Sequence, residues 1–61
     1  MATWVRCTDK KGLVVHINLD NATELMRDEQ EGGTLIMLLG GGIEIVRETP
    51  DEILKRAKPA I

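Results

Sequence analysis

The chain has 61 residues, a net charge of −2 and 43% hydrophobic residues, which indicates one small globular domain at residues 1–61 rather than a disordered segment. It contains one cysteine and one histidine, which excludes an intrachain disulfide and a Cys/His zinc site within one chain. A domain of this size buries only about 60% of the surface that its unfolded chain exposes. We therefore expect association with another chain to supplement the core.

Two segments predict a β-hairpin at the start of the chain. Residues 3–8 contain β-branched and aromatic residues typical of a strand, and residues 9–12 contain Asp and Gly, which favour a turn. Residues 13–19 alternate between apolar and more polar positions. Leu13, Val15, Ile17 and Leu19 share one face of this strand, and Val14, His16 and Asn18 share the other.

The middle of the chain predicts a turn and two further strands. Residues 20–22 favour a turn or one helical turn, because Asp and Asn side chains compete for backbone hydrogen bonds. Residues 23–29 suit a short helix nearly as well as a strand, and we predict a strand because so short an isolated helix is unstable. A polar turn at residues 30–33 then leads into a strand at residues 34–39.

The strand at residues 34–39 is apolar on both faces, which predicts a partner. Leu35, Met37 and Leu39 lie on one face, and Ile36 and Leu38 lie on the other. Such a strand must be covered on both faces, and the C-terminal helix covers one. We expect the second face to contact another chain in a homo-oligomer, or a fold-back of the curved sheet. The predicted oligomer contacts are Ile36, Leu38, Val14 and His16.

A glycine turn and a capped helix complete the predicted elements. Gly40, Gly41 and Gly42 predict a hairpin turn into a fifth strand at residues 43–48. Thr49, Pro50 and Glu52 have the spacing of a helix N-cap, a first helical proline and a capping box. We expect the helix at about residues 50–58, ending before Pro59, with an apolar stripe of Ile53, Leu54 and Ala57.

These elements predict a mainly β (α+β) fold. It is a five-stranded antiparallel meander, strongly curved or barrel-like, with one short C-terminal helix. The N-terminus lacks the basic start and apolar run of a signal peptide, and the longest apolar run, residues 35–39, is far shorter than a membrane span of roughly 20 residues. We therefore expect a cytoplasmic protein that does not contact the membrane.

No group of residues predicts catalysis. The glycine turn leads into a strand and no lysine follows it, which favours a hairpin over a phosphate loop. Glu44 and Glu48 are expected on a solvated strand face, and Cys7 is expected to be buried. The sequence identifies no catalytic partner for His16. We expect no enzyme activity, cofactor or metal.

Five basic residues give an alternative function. A nucleic-acid-binding (RNA or DNA) regulator would use a basic strip, completed across a dimer. The chain is acidic overall, however, and we expect Trp4, the only aromatic residue, to cap the core rather than stack on bases. We therefore favour a homo-oligomeric interaction or regulatory module. The basic residues in question are Arg6, Lys10, Lys11, Arg27 and Arg47.

Most of the chain resembles a family of small bacterial proteins with an FlbD-like strand–turn–strand–helix pattern. Residues 46–54, VRETPDEIL, fit a strand that ends in V-x-E-[ST] before a short helix, and residues 16–25, HINLDNATEL, fit the same pattern. The arrangement is similar to the small flagellar protein FlbD and, more loosely, to the sheet of LytTR DNA-binding domains. In element order alone it is similar to CsrA, an RNA-binding dimer. These resemblances imply a fold and no catalytic residues.

Overall fold

The computed structural model describes residues 3–57 as five strands and one α-helix. The elements are β1 (Trp4–Thr8), β2 (Val14–Asn18), β3 (Ala22–Arg27), β4 (Thr34–Leu38), β5 (Ile43–Val46) and α1 (Pro50–Ala57). The predicted order of strands, turns and C-terminal helix is confirmed, including the strand rather than helix after residue 22. The predicted helix end near Lys58 and Pro59 lies outside the described residues.

The five strands form two antiparallel sheets, so the prediction of one continuous meander is wrong. β1 pairs with β2, and β4 lies between β3 and β5. Between β2 and β3 the chain makes a 3-10 turn at Leu19–Asn21. The backbone carbonyl of Asn21 accepts a hydrogen bond from the N–H of Leu39 at 2.8 Å, which directs the chain onto β4 instead of back along β2.

The two sheets meet at one corner and do not close. Asp9, just after β1, forms an isolated antiparallel bridge with Val46 at the end of β5. The N–H of Arg47 donates to the carbonyl of Thr8 at 2.8 Å at the same corner. The expected strong curvature or barrel-like closure is therefore not formed.

The core lies between the inner faces of the two sheets and one side of α1. Its buried apolar residues are Val5, Cys7, Ile17, Ile36, Val46 and Ile53. The predicted burial of Cys7 is confirmed, and burial raises the pKa of its thiol. Trp4 is 62% exposed, so the prediction that it caps the core is wrong. Neighbours along a strand point to opposite faces, and because Val5 points inward, Trp4 points outward.

β5 ends two residues earlier than predicted because the backbone after Val46 bonds to β1, where the N–H of Arg47 donates to the carbonyl of Thr8. The hydroxyl of Thr34, itself buried, donates to the carbonyl of Glu48 at 2.6 Å. Gly33 permits this close approach, since a Cβ at that position would overlap the backbone oxygen of Val46. Glu48 is thereby placed beside β1 rather than on a solvated strand face, which corrects its prediction.

α1 begins with the predicted capping box. The N–H of Glu52 donates to the Thr49 hydroxyl at 3.2 Å, and the N–H of Thr49 donates to the Glu52 carboxylate at 2.9 Å. The helix contacts β1 and β3 and inserts Ile53, which is fully buried, into the core. Leu54 is 55% exposed, so the predicted apolar stripe is buried only in part.

Candidate protein-interaction surfaces

The sheet of β3, β4 and β5 has an apolar face that no element covers within residues 3–57. Ile36 points into the core, so its strand neighbours Leu35 and Met37 point to the opposite side. The strand register places apolar residues of β3 and β5 beside them. We call this surface the outer sheet face. It consists of Met26, Leu35, Met37, Ile43 and Ile45, with Glu24 at its β3 end.

The side chains of the outer sheet face are accessible to a partner. Ile43 is 54% exposed and Met26 is 41% exposed, while the other members are partly exposed. None of them belongs to the core or packs against it. The surface is therefore a contiguous apolar patch on an otherwise charged chain, which is a common mark of a protein–protein contact.

The four residues predicted as oligomer contacts lie in different places. Ile36 is fully buried inside the chain, so it offers no surface to a second chain. Leu38 is half-buried and lines a groove together with His16, which is exposed. Val14 is exposed on the same strand face as His16, nearer the hairpin turn. The accessible face of β4 carries Leu35 and Met37. The strand register pairs these two residues with Ile45 and Ile43 of β5.

The hairpin leaves the outer edge of β2 without a backbone partner among the described residues. At the two ends of the hairpin, the N–H of Leu19 donates to the carbonyl of Thr3 and the N–H of Asp9 donates to the carbonyl of Leu13. Hydrogen-bonded and non-bonded pairs alternate along an antiparallel ladder, so the even-numbered residues of β2 direct their N–H and C=O away from β1. These residues are Val14, His16 and Asn18.

A groove between the two sheets follows this edge, and we call it the β2 groove. It is lined by Trp4, Val15, His16, Ile17, Asn18, Asn21, Leu38 and Glu44. Its apolar residues continue outward from the core, because Val15 and Leu38 pack against the core while they remain partly exposed. Glu44 is exposed and is the one carboxylate among the described residues that lines it.

The edge of β1, in contrast, is occupied by side chains that follow β5. The carboxylate of Glu48 accepts hydrogen bonds from the N–H of Thr8 at 2.8 Å and from its hydroxyl at 2.9 Å. The guanidinium of Arg56 donates to the carbonyl of Arg6 at 2.7 Å and to Glu48 at 3.2 Å. These two side chains bond the backbone groups that a neighbouring strand would otherwise bond. The sequence does not predict this role of Glu48, because Thr8 lies 40 residues away and no local pattern connects the two residues.

Glu48 is a nearly buried carboxylate that stays ionised because of these partners. Burial alone would raise its pKa, since charge is disfavoured away from water. Hydrogen bonds from the Thr8 backbone, from its own backbone N–H, from the Thr8 hydroxyl and from Arg56 outweigh burial, so the pKa of Glu48 is lowered. The carboxylate of Glu48 therefore links β1 to α1.

The five predicted basic residues do not form one strip. The guanidinium of Arg47 donates to the carbonyl of Lys10 at 2.8 Å, which places it at the hairpin turn that also contains Lys11. Glu31 lines the same depression as Lys10 and Arg47 and opposes their charge. Arg6 lies on the outer side of β1, and Arg27 lies at the end of β3. The structure thus brings together three of the five.

Within residues 3–57, no three His, Cys, Asp or Glu side chains lie close enough together to hold a metal ion. In the same residues, no helix has both the length and the hydropathy needed to cross a membrane. No family model, curated protein or solved structure matches the chain.

Proposed function

We propose that this protein is a small interaction or regulatory module without catalytic activity, and that it self-associates through the outer sheet face. The observation that carries the proposal is the apolar outer side of β3, β4 and β5, which no element covers within residues 3–57. Transfer of apolar surface from water contributes about 25 cal/mol per Å². Covering this patch therefore stabilises a complex.

A second copy of the chain is the partner that the size of the protein favours. The described core contains six buried apolar residues, and the single cysteine excludes an intrachain disulfide. Chains of this size commonly gain stability from oligomerisation. A two-fold axis through Leu35 and Met37 would bring two identical apolar patches together, which is the self-complementary contact of a symmetric dimer. Glu24 would lie at the rim, where water reaches its charge.

The experiment is sedimentation equilibrium of the wild-type chain and of Ile43→Lys at micromolar concentration. Ile43 is more than half exposed in the single chain, so a lysine there costs little for folding but leaves a charge buried in the dimer. We expect a wild-type dimer and a folded Ile43→Lys monomer. Circular dichroism verifies that the variant keeps its sheets.

Leu13→Lys is the matched control. Leu13 is exposed to a similar extent but lies in the hairpin turn, away from the outer sheet face. It should sediment like the wild type. A folded wild-type monomer, or a dimer that Ile43→Lys leaves intact, would contradict self-association through this face.

A further inference from the structure

We propose that the β2 groove binds an extended segment of a partner protein, which adds to β2 as a strand and places an acidic side chain beside His16 and Arg6. This goes beyond self-association, because it concerns a different surface and a different partner. Strand addition to an open sheet edge is a common mode of peptide recognition, in which backbone hydrogen bonds give affinity and alternate side chains give specificity.

Among residues 3–57, β2 is the sheet edge that lacks a protective feature. Exposed strand edges are usually blocked by bulges, charged residues, proline or a covering element. β1 is covered by Glu48 and Arg56, and β3 has a register shift after Ala22. β5 has four residues and its end is bonded to β1. β2 has five residues in regular register, with neither proline nor lysine among them.

The charge on the exposed side of the hairpin favours an acidic partner. Arg6 and His16 are directly paired across β1 and β2, and no acidic residue lies in either strand. Asp9 in the turn uses its carboxylate to accept hydrogen bonds from the N–H of Lys11 and of Leu13, both at 2.9 Å. A carboxylate on an added strand, opposite His16, would lie on the same face as the Arg6 guanidinium, while the carboxylate of Glu48 is held at the β1 edge by Thr8 and Arg56.

The inner side of the groove determines which side chains fit before and after the acidic residue of the partner segment. In an added strand, the residues before and after it point towards the side of Val15 and Ile17, beside Leu38. Apolar side chains fit there. Glu44 is exposed on the same side and disfavours a second acid. The expected partner segment therefore has an apolar–acidic–apolar pattern.

The same charges argue against two other occupants of the groove. A second copy of β2 would place His16 opposite its own equivalent, and it would bring no carboxylate to this face because β2 contains no acidic residue. A nucleic acid would meet the carboxylate of Glu44 in the groove and would leave the backbone N–H and C=O row of β2 unmatched.

The single tryptophan reports on binding directly. Trp4 lines the groove and the chain has no other aromatic residue, so its fluorescence changes when the groove is occupied. The probe is the peptide Gly-Thr-Val-Glu-Val-Thr-Gly, acetylated and amidated, and its control has Lys in place of Glu. We expect saturable binding of the Glu peptide with a Kd below about 1 mM. The Lys peptide should bind at least tenfold more weakly.

A charge exchange tests the predicted orientation. Arg6→Glu should reverse the preference so that the Lys peptide binds more tightly, and Arg27→Glu, on β3, should leave the wild-type preference unchanged. Absence of saturable binding, or a preference that Arg6→Glu does not alter, would overturn the proposal. Tighter binding of an oligothymidylate that Arg6→Glu abolishes would assign the surface to nucleic acid instead.

A backbone change tests strand addition itself. The chain is short enough for chemical synthesis, and N-methylation of the His16 amide removes one outward donor without disturbing the pairing with β1. We expect at least a tenfold loss of peptide affinity. N-methylation of Arg27, whose N–H also points out of its sheet, is the control and should have no effect. Equal affinity after methylation of His16 would refute strand addition. Ile43→Lys should bind the peptide like the wild type, because the β2 groove and the outer sheet face are different surfaces, so this test is independent of self-association.

Discussion

Glu48 joins three elements of the fold through one carboxylate. It follows β5, accepts two hydrogen bonds from Thr8 on β1, and pairs with Arg56 on α1. Hydrogen bonds to a charged group contribute about 1.5–3 kcal/mol, and more is lost when a buried donor is left without an acceptor. This residue also blocks the edge of β1. The same carboxylate therefore affects both stability and resistance to wrong strand pairing.

Glu48→Gln should lower the free energy of unfolding at pH 7 by about 1–3 kcal/mol, because it keeps the shape of the side chain and removes its charge. Urea unfolding measures the change. Glu44→Gln is the control, since Glu44 is exposed and its substitution should alter the free energy by less than about 0.5 kcal/mol. Equal effects of the two substitutions would show that Glu48 is no more than a surface charge.

The pH dependence of stability offers an independent check on Glu48. Its folded pKa lies below the ordinary value of 4.5, so the contribution of the carboxylate is fully present above pH 4.5. The contribution is lost as the pH falls from 4.5 through the folded pKa, where protonation removes the acceptor. The wild-type chain should therefore lose more stability than Glu48→Gln over this acidic range.

At the scale of elements, α1 depends on its first turn because it has only eight residues. Thr49→Ala removes the hydroxyl that accepts from the N–H of Glu52, and it should cost about 1 kcal/mol in the free energy of unfolding. The loss is measured by thermal or urea unfolding. Thr49→Ser retains the hydroxyl and should preserve most of the stability; an equal loss in both variants would indicate that the cap is not the cause.

The elements that the sequence predicts well are those with short-range causes. The capping box links residues three apart, and the turn at Gly40 and Gly41 depends on their positive φ angles of 88° and 95°. The alternation in β2 correctly separates Ile17, which is buried, from His16, which is exposed. Each of these patterns spans only a few residues, so it can be recognised in the sequence without knowledge of the fold.

The features that the sequence predicts poorly depend on contacts between distant residues. The split into two sheets follows from the 3-10 turn at Leu19–Asn21 and from the hydrogen bond between Thr34 and Glu48, 14 residues apart. Both faces of β4 are apolar, so alternation alone does not determine whether Ile36 or Leu35 points inward. Ile36, predicted as a contact residue, is instead buried within the chain, and its burial leaves Leu35 and Met37 on the outer side of β4.

At the scale of the whole molecule, self-association and stability are linked. A chain that folds and dimerises together is stabilised by mass action, so its thermal midpoint rises with concentration. A tenfold increase in concentration stabilises the dimer by about 1.4 kcal/mol. Because two chains share this free energy, the gain is about 0.7 kcal/mol per chain. For a domain of this size, that shifts the midpoint by about 3–6 °C.

We therefore expect the thermal midpoint of the wild-type chain to rise by about 3–6 °C for each tenfold increase above the dissociation constant. In Ile43→Lys the midpoint should be independent of concentration and should match that of the dilute wild type, because the exposed site costs little in the single chain. Differential scanning calorimetry at several concentrations measures both. A wild-type midpoint that stays constant over two decades of concentration would mean that the six buried apolar residues of one chain suffice to hold the fold, and the outer sheet face would then have to serve a different protein.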